Sequence, residues 1–323
     1  MTSTRRVSRL SLVEASSCQH WTSVRCNGAP RQPSPALLLV NDGALAYIRR
    51  QHRPFANKRK TTAVTIYDLY LESGPKKKTT MVHVTALAGC IATGSTTEAA
   101  LAATPDAIRR FRHFLHRHGE TIDINDPIET RIAEHVTEGA WLGNGSPYLM
   151  LETDLALLDE AEIATLLARL EWMFDALAAW TATQADTALD TDPGKGRTAR
   201  EIVLHVIGAQ GAALAYALGS APGFGKIKSA AERGELPLAE ALDRTMTLVR
   251  ETIAPLTPDE RNAIRELSSG HYNLRKALRR SLEHLWEHLA ELSRRPDGLE
   301  PRLRSVRADG CRRRPARQRA DAG

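Results

Sequence analysis

The sequence predicts an α+β protein: a small β-β-β-α-β module followed by an all-α bundle of four helices. Two observations carry this. Residues 64–152 alternate short β-branched and aromatic runs with turn residues around a single amphipathic helix, whereas from residue 159 the apolar positions keep helical spacing to residue 294. A third observation concerns charge. The net +6 of the 323 residues resides at the ends: residues 1–61 carry +9 and residues 297–323 carry +4, which leaves −7 for residues 62–296. The expected organisation is therefore a basic disordered leader (1–61), an α+β module (62–155), a bundle (158–295) and an Arg-rich disordered tail (296–323). A start placed upstream of the true one would also produce such a leader.

In the first module, Val64, Ile66 and Leu69 lie in a strand-like run that ends at Gly74-Pro75, and Met81-Val82-His83-Val84 resumes it, as in a hairpin. A third short strand around Ile91-Ala92-Thr93 precedes Ser95-x-x-Glu98, the spacing of a capping box. The helix that follows carries Ala100, Leu101, Ile108, Phe111 and Leu115 on one face and runs to about His118, with Pro105 expected to bend or interrupt it. Loop signals occupy the next stretch, and Pro147–Glu152 reads as the closing strand.

The bundle begins at Asp159 with Ile163, Leu166, Leu167, Leu170, Met173, Phe174 and Leu177. Pro193, Gly194 and Gly196 mark a loop, and Thr198 with Glu201 forms a second capping box. That second helix ends at Gly219, and its small-residue stretch Gly208–Ala213 admits a close neighbour. A third helix spans about Leu238 to Ala254. The fourth, about Tyr272 to Arg294, places Leu274, Leu278, Leu285, His288 and Leu292 on one stripe. Long links after the first two helices predict at least one crossover connection.

Composition excludes several classes. Apolar residues at 42% and charged residues at 25% fit a globular chain, and no run approaches the roughly 20 apolar residues of a membrane span. Four cysteines without C-x-x-C spacing make neither a disulfide framework nor a zinc ribbon, and the expected compartment is the reducing cytoplasm. Nucleic acid is not an expected partner of an acidic core.

The strongest chemical constellation is His205 on the second bundle helix with His284 and His288 on the fourth. Residues i and i+4 lie one above the other, about 6 Å apart along the axis, so both imidazoles can face one ion. Neutral imidazole suits zinc, nickel or iron, and three protein ligands leave an open position for water or substrate. A core histidine bonded to a backbone carbonyl is the competing account of His205. His288 sits on the leucine stripe and needs a partner there.

Other candidates resolve more blandly. Cys90 reads as a small buried residue in a tight turn. His113, His116 and His118 with Arg109, Arg110, Arg112 and Arg117 read as a solvated basic face, and Asp68, Glu72 and Glu98 as solvated acids. Gly219–Lys226 lacks the spacing of a phosphate loop. Trp141 and Gly143-Asn144-Gly145 could rim a pocket between the modules. Glu201 caps its helix, or orients His205 from one turn away.

The stretches Ala199–Val206 and Leu274–His288, with one histidine on the second helix and an H-x-x-x-H pair on the fourth, resemble the DinB superfamily over about 158–294. The resemblance implies a four-helix bundle in which His205, His284 and His288 bind a divalent metal. It further implies a metal-dependent transfer of a low-molecular-weight thiol; the expected function is a metal-dependent enzyme of thiol transfer or hydrolysis, with metal-bound water or thiolate as the nucleophile. Arg197 departs from the family, whose members commonly carry Trp there. Val82–Gly94 with Thr96-x-Glu98-x-Ala100 resembles HicB-type antitoxins over about 64–118, which implies a partial ribonuclease-H-like fold. The DNA-binding element of those antitoxins is missing. Expected partners are a small-molecule substrate and, through the HicB-like module, a protein partner; a homodimer is compatible with both. The alternative reading is a noncatalytic, antitoxin-like regulator in which the metal is structural.

Overall fold

Strand β1 (Thr65–Ser73) places Tyr67, Leu69 and Leu71 on one buried face by the two-residue period of a pleated strand, and its second half, Leu69 to Ser73, is buried on both faces. It pairs antiparallel with β2 (Thr80–His83), which pairs antiparallel with β3 (Ile91–Gly94). The run Leu87–Cys90 makes the tight turn into β3, with Cys90 N donating to Leu87 O at 2.7 Å. The structure, a computed structural model, describes residues 65–295. The expected leader and Arg-rich tail lie outside the described residues.

The chain then forms α1 (Thr97–Arg117) and returns as β4 (Ile128–Val136), parallel to β1, giving the sheet order β3-β2-β1-β4. A parallel pair needs a crossover of this kind, and α1 supplies it. The expected strand at Pro147–Glu152 does not form. Leu151 is buried there ahead of a single 3-10 turn, Glu152–Leu155, and its own amide donates to Asp154 Oδ2 at 2.9 Å. The true fourth strand hides from a period-2 reading because it lies at the sheet edge. Its apolar residues Ile128, Ile132 and Val136 stand four apart among exposed charges.

Helix α1 is capped by Thr96 rather than Ser95; Thr96 Oγ1 accepts from Ala99 N at 3.2 Å. Pro105 does not interrupt it. Buried Ala100 and Thr104 before the proline and Ala107, Ile108, Phe111 and Leu115 after it hold both halves on the core. Part of the expected basic face turns inward. Arg112 is buried, with Nε and Nη2 donating to the Tyr67 hydroxyl and Nη1 to Asp126 O, and His118 stacks on Trp172 at 4.9 Å.

The helical part contains α2 (Glu160–Thr181), α3 (Asp186–Leu189), α4 (Ala199–Leu218), α5 (Phe224–Glu232), α6 (Leu238–Ile253), α7 (Pro258–Asn262) and α8 (Leu274–Ser293). It is not all-α, because β5 (Arg265–Leu267) and β6 (Gly270–Tyr272) form a hairpin before α8. That hairpin takes Tyr272 out of the last helix, which Asn273 caps instead. Caps at Asp159 and at Thr198, the latter with Glu201 as a full capping box, follow the sequence signals. The four long helices close a ring in which α2 touches α6 and α8, and α4 touches the same two. The links from α2 to α4 and from α6 to α8 therefore cross the diagonal, while α4 and α6 are neighbours joined through α5.

Among the described helices, α4 has the length and apolar character of a membrane span by composition. Its small residues serve close packing: a Cβ on Gly211 would lie 2.5 Å from the Phe224 Cβ of α5. The core runs without a break from the strands through the bundle. Phe111 of α1 meets Trp286 of α8 edge-on at 5.0 Å, and Arg169 of α2 holds Glu120 with two hydrogen bonds of 2.6 and 2.8 Å.

Two outcomes follow from this packing. Gly211→Ala, despite the better helix propensity of alanine, is expected to lower stability by about 1–3 kcal/mol in urea titration through overpacking against Phe224. An unchanged or raised midpoint would contradict the contact. Lys276 is buried, donating from Nζ to Tyr148 O and His271 O, and desolvation brings its pKa down to about 8. The unfolded chain, with lysine near 10.4, then binds more protons between those values, so this group makes stability rise with pH across that window. Urea midpoints at pH 7.5 and 10 should show that rise diminished in Lys276→Met; an identical rise would refute the assignment.

Candidate metal centre

The site begins with periodicity. Four residues along α8 bring His284 and His288 to one side, and the capping box at Thr198 sets the start of α4 so that His205, two turns in, faces them. His284 Nε2 lies 2.9 Å from His205 Nε2 and 3.1 Å from His288 Nε2. All three donor nitrogens fall within 4.8 Å of one another. His288 is buried, and the other two rings are half-buried.

The tautomer of His288 has a visible cause. Its Nδ1 lies 3.0 Å from Glu291 Oε2, and a proton held on that bond leaves the Nε2 lone pair aimed inward. Glu291 is in turn held by Arg295, whose Nη2 also donates to Arg197 O at 2.6 Å. The hydrogen bond from His288 and then Arg295 draw the Glu291 carboxyl below the usual range. Burial, and after it the charges of His288 and Arg197, bring His205 down to about 3; burial and the two neighbouring rings push His284 well below its ordinary value. At neutral pH the rings of His205 and His284 thus present lone pairs, the form that ligates a cation.

The donor set fits a divalent metal. Tetrahedral coordination with bonds of roughly 2.0–2.1 Å requires nitrogen separations of about 3.3 Å; the two separations from His284, 2.9 and 3.1 Å, are close to this, while the His205 and His288 nitrogens lie within 4.8 Å of each other. Glu201 does not orient His205: its carboxylate accepts from Thr198 N at 2.8 Å, as the cap requires. Arg197 contributes through its charge, which disfavours protonation of both His205 and His284.

A second buried polar system lies on the adjacent side of α8. Glu283 accepts from His83 Nδ1, Arg279 Nη1 and Arg280 Nη1, each at 2.9 Å, and Arg279 also makes a bidentate pair with Asp154 at 2.7 Å. Glu283, Arg279, Asp154 and His83 are all buried. The guanidinium of Arg279 and the neighbouring His83 hold the Glu283 carboxyl far below the usual range despite burial. Glu72 belongs to the same region and is not a solvated acid. It is fully buried, 3.9 Å from His83 Nε2, and accepts from Ser146 N at 3.0 Å.

Cys90 is buried, and desolvation followed by the Glu283 charge pushes its thiol well above the ordinary value, which makes it a packing residue. Asp68 pairs with Arg131 at the surface, and Glu98 is exposed. The Gly219–Lys226 stretch is the turn into α5. Sequence reasoning missed Glu291, whose H-x-x-E spacing from His288 was available as a signal. It also missed Glu283, which the sequence presents as one more charge in Arg279-Arg280-Ser281-Leu282-Glu283.

Comparison of the chain with protein-family models, with curated proteins and with solved structures returned no match.

The buried network makes a stability prediction. Glu283→Gln keeps the shape but leaves Arg279 and its neighbours without their central anion, and is expected to cost about 3–5 kcal/mol in chemical denaturation. A midpoint equal to that of the wild type would show that the charge is dispensable.

Proposed function

We propose that the protein is a DinB-like divalent-metal-binding protein, a metal-dependent enzyme of thiol transfer or hydrolysis fused to a HicB-like module. The observation that carries this reading is the convergence of the His205, His284 and His288 Nε2 atoms, with His288 oriented by Glu291. A divalent ion held there would serve as a Lewis acid that lowers the pKa of a bound water or thiol. His205, His284 and His288 would hold it, Glu291 would fix the ring of His288, and burial, aided by the charge of Arg197, would disfavour protonation of His205 and His284. Zinc and nickel suit this all-nitrogen set best, with iron as the third choice.

The half-buried state of His205 and His284 favours the enzyme over the regulatory reading, because a structural ion is closed off by four protein ligands. The HicB-like assignment of the first module rests on the Leu87–Cys90 turn and on a helix that crosses from the antiparallel strands to β4. For the alternative, a protein-binding role, the supporting observation is the exposure of Ile66 on β1 and, separately, of Ile132 on the edge strand β4.

Metal analysis of the purified full chain tests the site. About one equivalent of divalent metal is expected in the wild type, and almost none in His284→Ala with helical circular dichroism retained. Glu291→Gln should weaken the metal affinity about 10–100-fold without abolishing it. Equal metal content in the wild type and His284→Ala would overturn the ligand assignment.

A further inference from the structure

Glu283, Glu287 and Glu291 follow one another at four-residue spacing along α8, and their surroundings differ sharply. Glu283 is bonded by His83, Arg279 and Arg280, and Glu291 by His288 and Arg295. Glu287, between them, has no hydrogen-bond or ion-pair partner among the described residues. It is half-buried, and it lines a cavity of about 320 Å³ between α8 and the sheet module. A half-buried carboxylate that lines a cleft and has no protein donor is free to accept from a ligand.

The rest of the lining says what kind of donor. Thr79, Thr93 and Ser95 bring hydroxyls, Asn144 brings an amide, and Met81 is the one large apolar side chain. Hydroxyl and amide groups both donate and accept, so they match the hydroxyls of a ligand. Neither lysine nor arginine lines the cavity, which leaves an anionic ligand without a counter-charge. The volume is at the small end of ligand sites.

The part of the lining formed by Gly143 and Asn144 is fixed rather than loose. Gly143 adopts φ +87°, and a Cβ there would lie 2.4 Å from Thr79 O, so only glycine lets the Gly143-Asn144 turn close over the start of β2. This turn is the one whose glycine pattern marks it, in sequence, as a rim between the modules.

We propose that this cleft binds a small amine bearing several hydroxyls, of the amino-sugar or amino-alcohol class, with the amine donating to Glu287 and the hydroxyls meeting Ser95, Thr93, Thr79 and Asn144. Glu287 stands three residues after His284 and one before His288, so the cleft adjoins the histidine cluster along α8; none of the three histidines lines it, and the inference does not rest on the metal reading.

The test uses the full-length protein, glucosamine as probe, and glucose as the matched molecule without the amine. Amide chemical shifts of Gly94, Ser95, Gly143 and Asn144 are followed through each titration. Saturable shifts confined to these residues are expected with glucosamine, with glucose at least tenfold weaker. The near-isosteric Glu287→Gln should weaken glucosamine at least tenfold, and Ser95→Ala should weaken both sugars. The glucosamine response is expected to persist in His284→Ala and after chelation, whatever the outcome of metal analysis. Equal responses to the two sugars, an undiminished response in Glu287→Gln, loss of the response on chelation, or no localised shift at all would each overturn the proposal; the last would mean a cleft filled by solvent only.

Discussion

The carboxylate of Glu283 is the point on which the arrangement of this protein depends. Taking one anion and three potential cations out of water is expensive, and the geometry repays it only if every partner stays in place. His83 reaches it from β2, Arg279 and Arg280 from the same helix, and Arg279 ties in Asp154 from the segment that enters the bundle. One anion therefore fixes the rotation of α8 about its axis relative to the sheet. The next residue is His284, so the same constraint sets which way the histidine-bearing side of the helix points.

Helix α8 serves three neighbours at once. Its leucines fill the bundle, its histidines meet α4, and its Trp286 and Glu283 meet the sheet module through Phe111, Phe114 and His83. The aromatic contact and the ion network complement each other physically. Ring packing supplies apolar area without demanding one register, whereas hydrogen bonds at 2.9 Å tolerate little sliding. Together they hold the two modules in a single register over a shared core.

Much of this was legible in the residues. The leucine stripes, the Thr198–Glu201 cap and the i, i+4 histidine pair each obey a short-range period, and periods survive in a single sequence. The edge strand was not legible, because Ile128, Ile132 and Val136 sit four apart and the intervening charges face solvent. The burial of Arg112, Glu72 and Glu283 was likewise invisible: a charged residue reads as a surface residue until its partner, dozens of positions away, is known. Pro105 misled for the opposite reason, since its local penalty is real and the packing of α1 on the strands outweighs it. The convergence of His205 on the α8 pair depended on the diagonal connection of the bundle, which spacing alone suggested without specifying.

The position of β1 in the sheet has a consequence for how the chain is made. β1 gains its antiparallel neighbour within a few residues, but its other flank stays open until α1 has been synthesised and β4 arrives. During translation the emerging chain therefore exposes a long, apolar strand flank, a template for unwanted pairing with another copy. Once β4 docks, the new outer border carries Glu129, Arg131 and Glu134, whose charges resist the addition of a foreign strand. The uneven, charge-rich composition that conceals β4 from pattern reading is thus what protects the finished sheet.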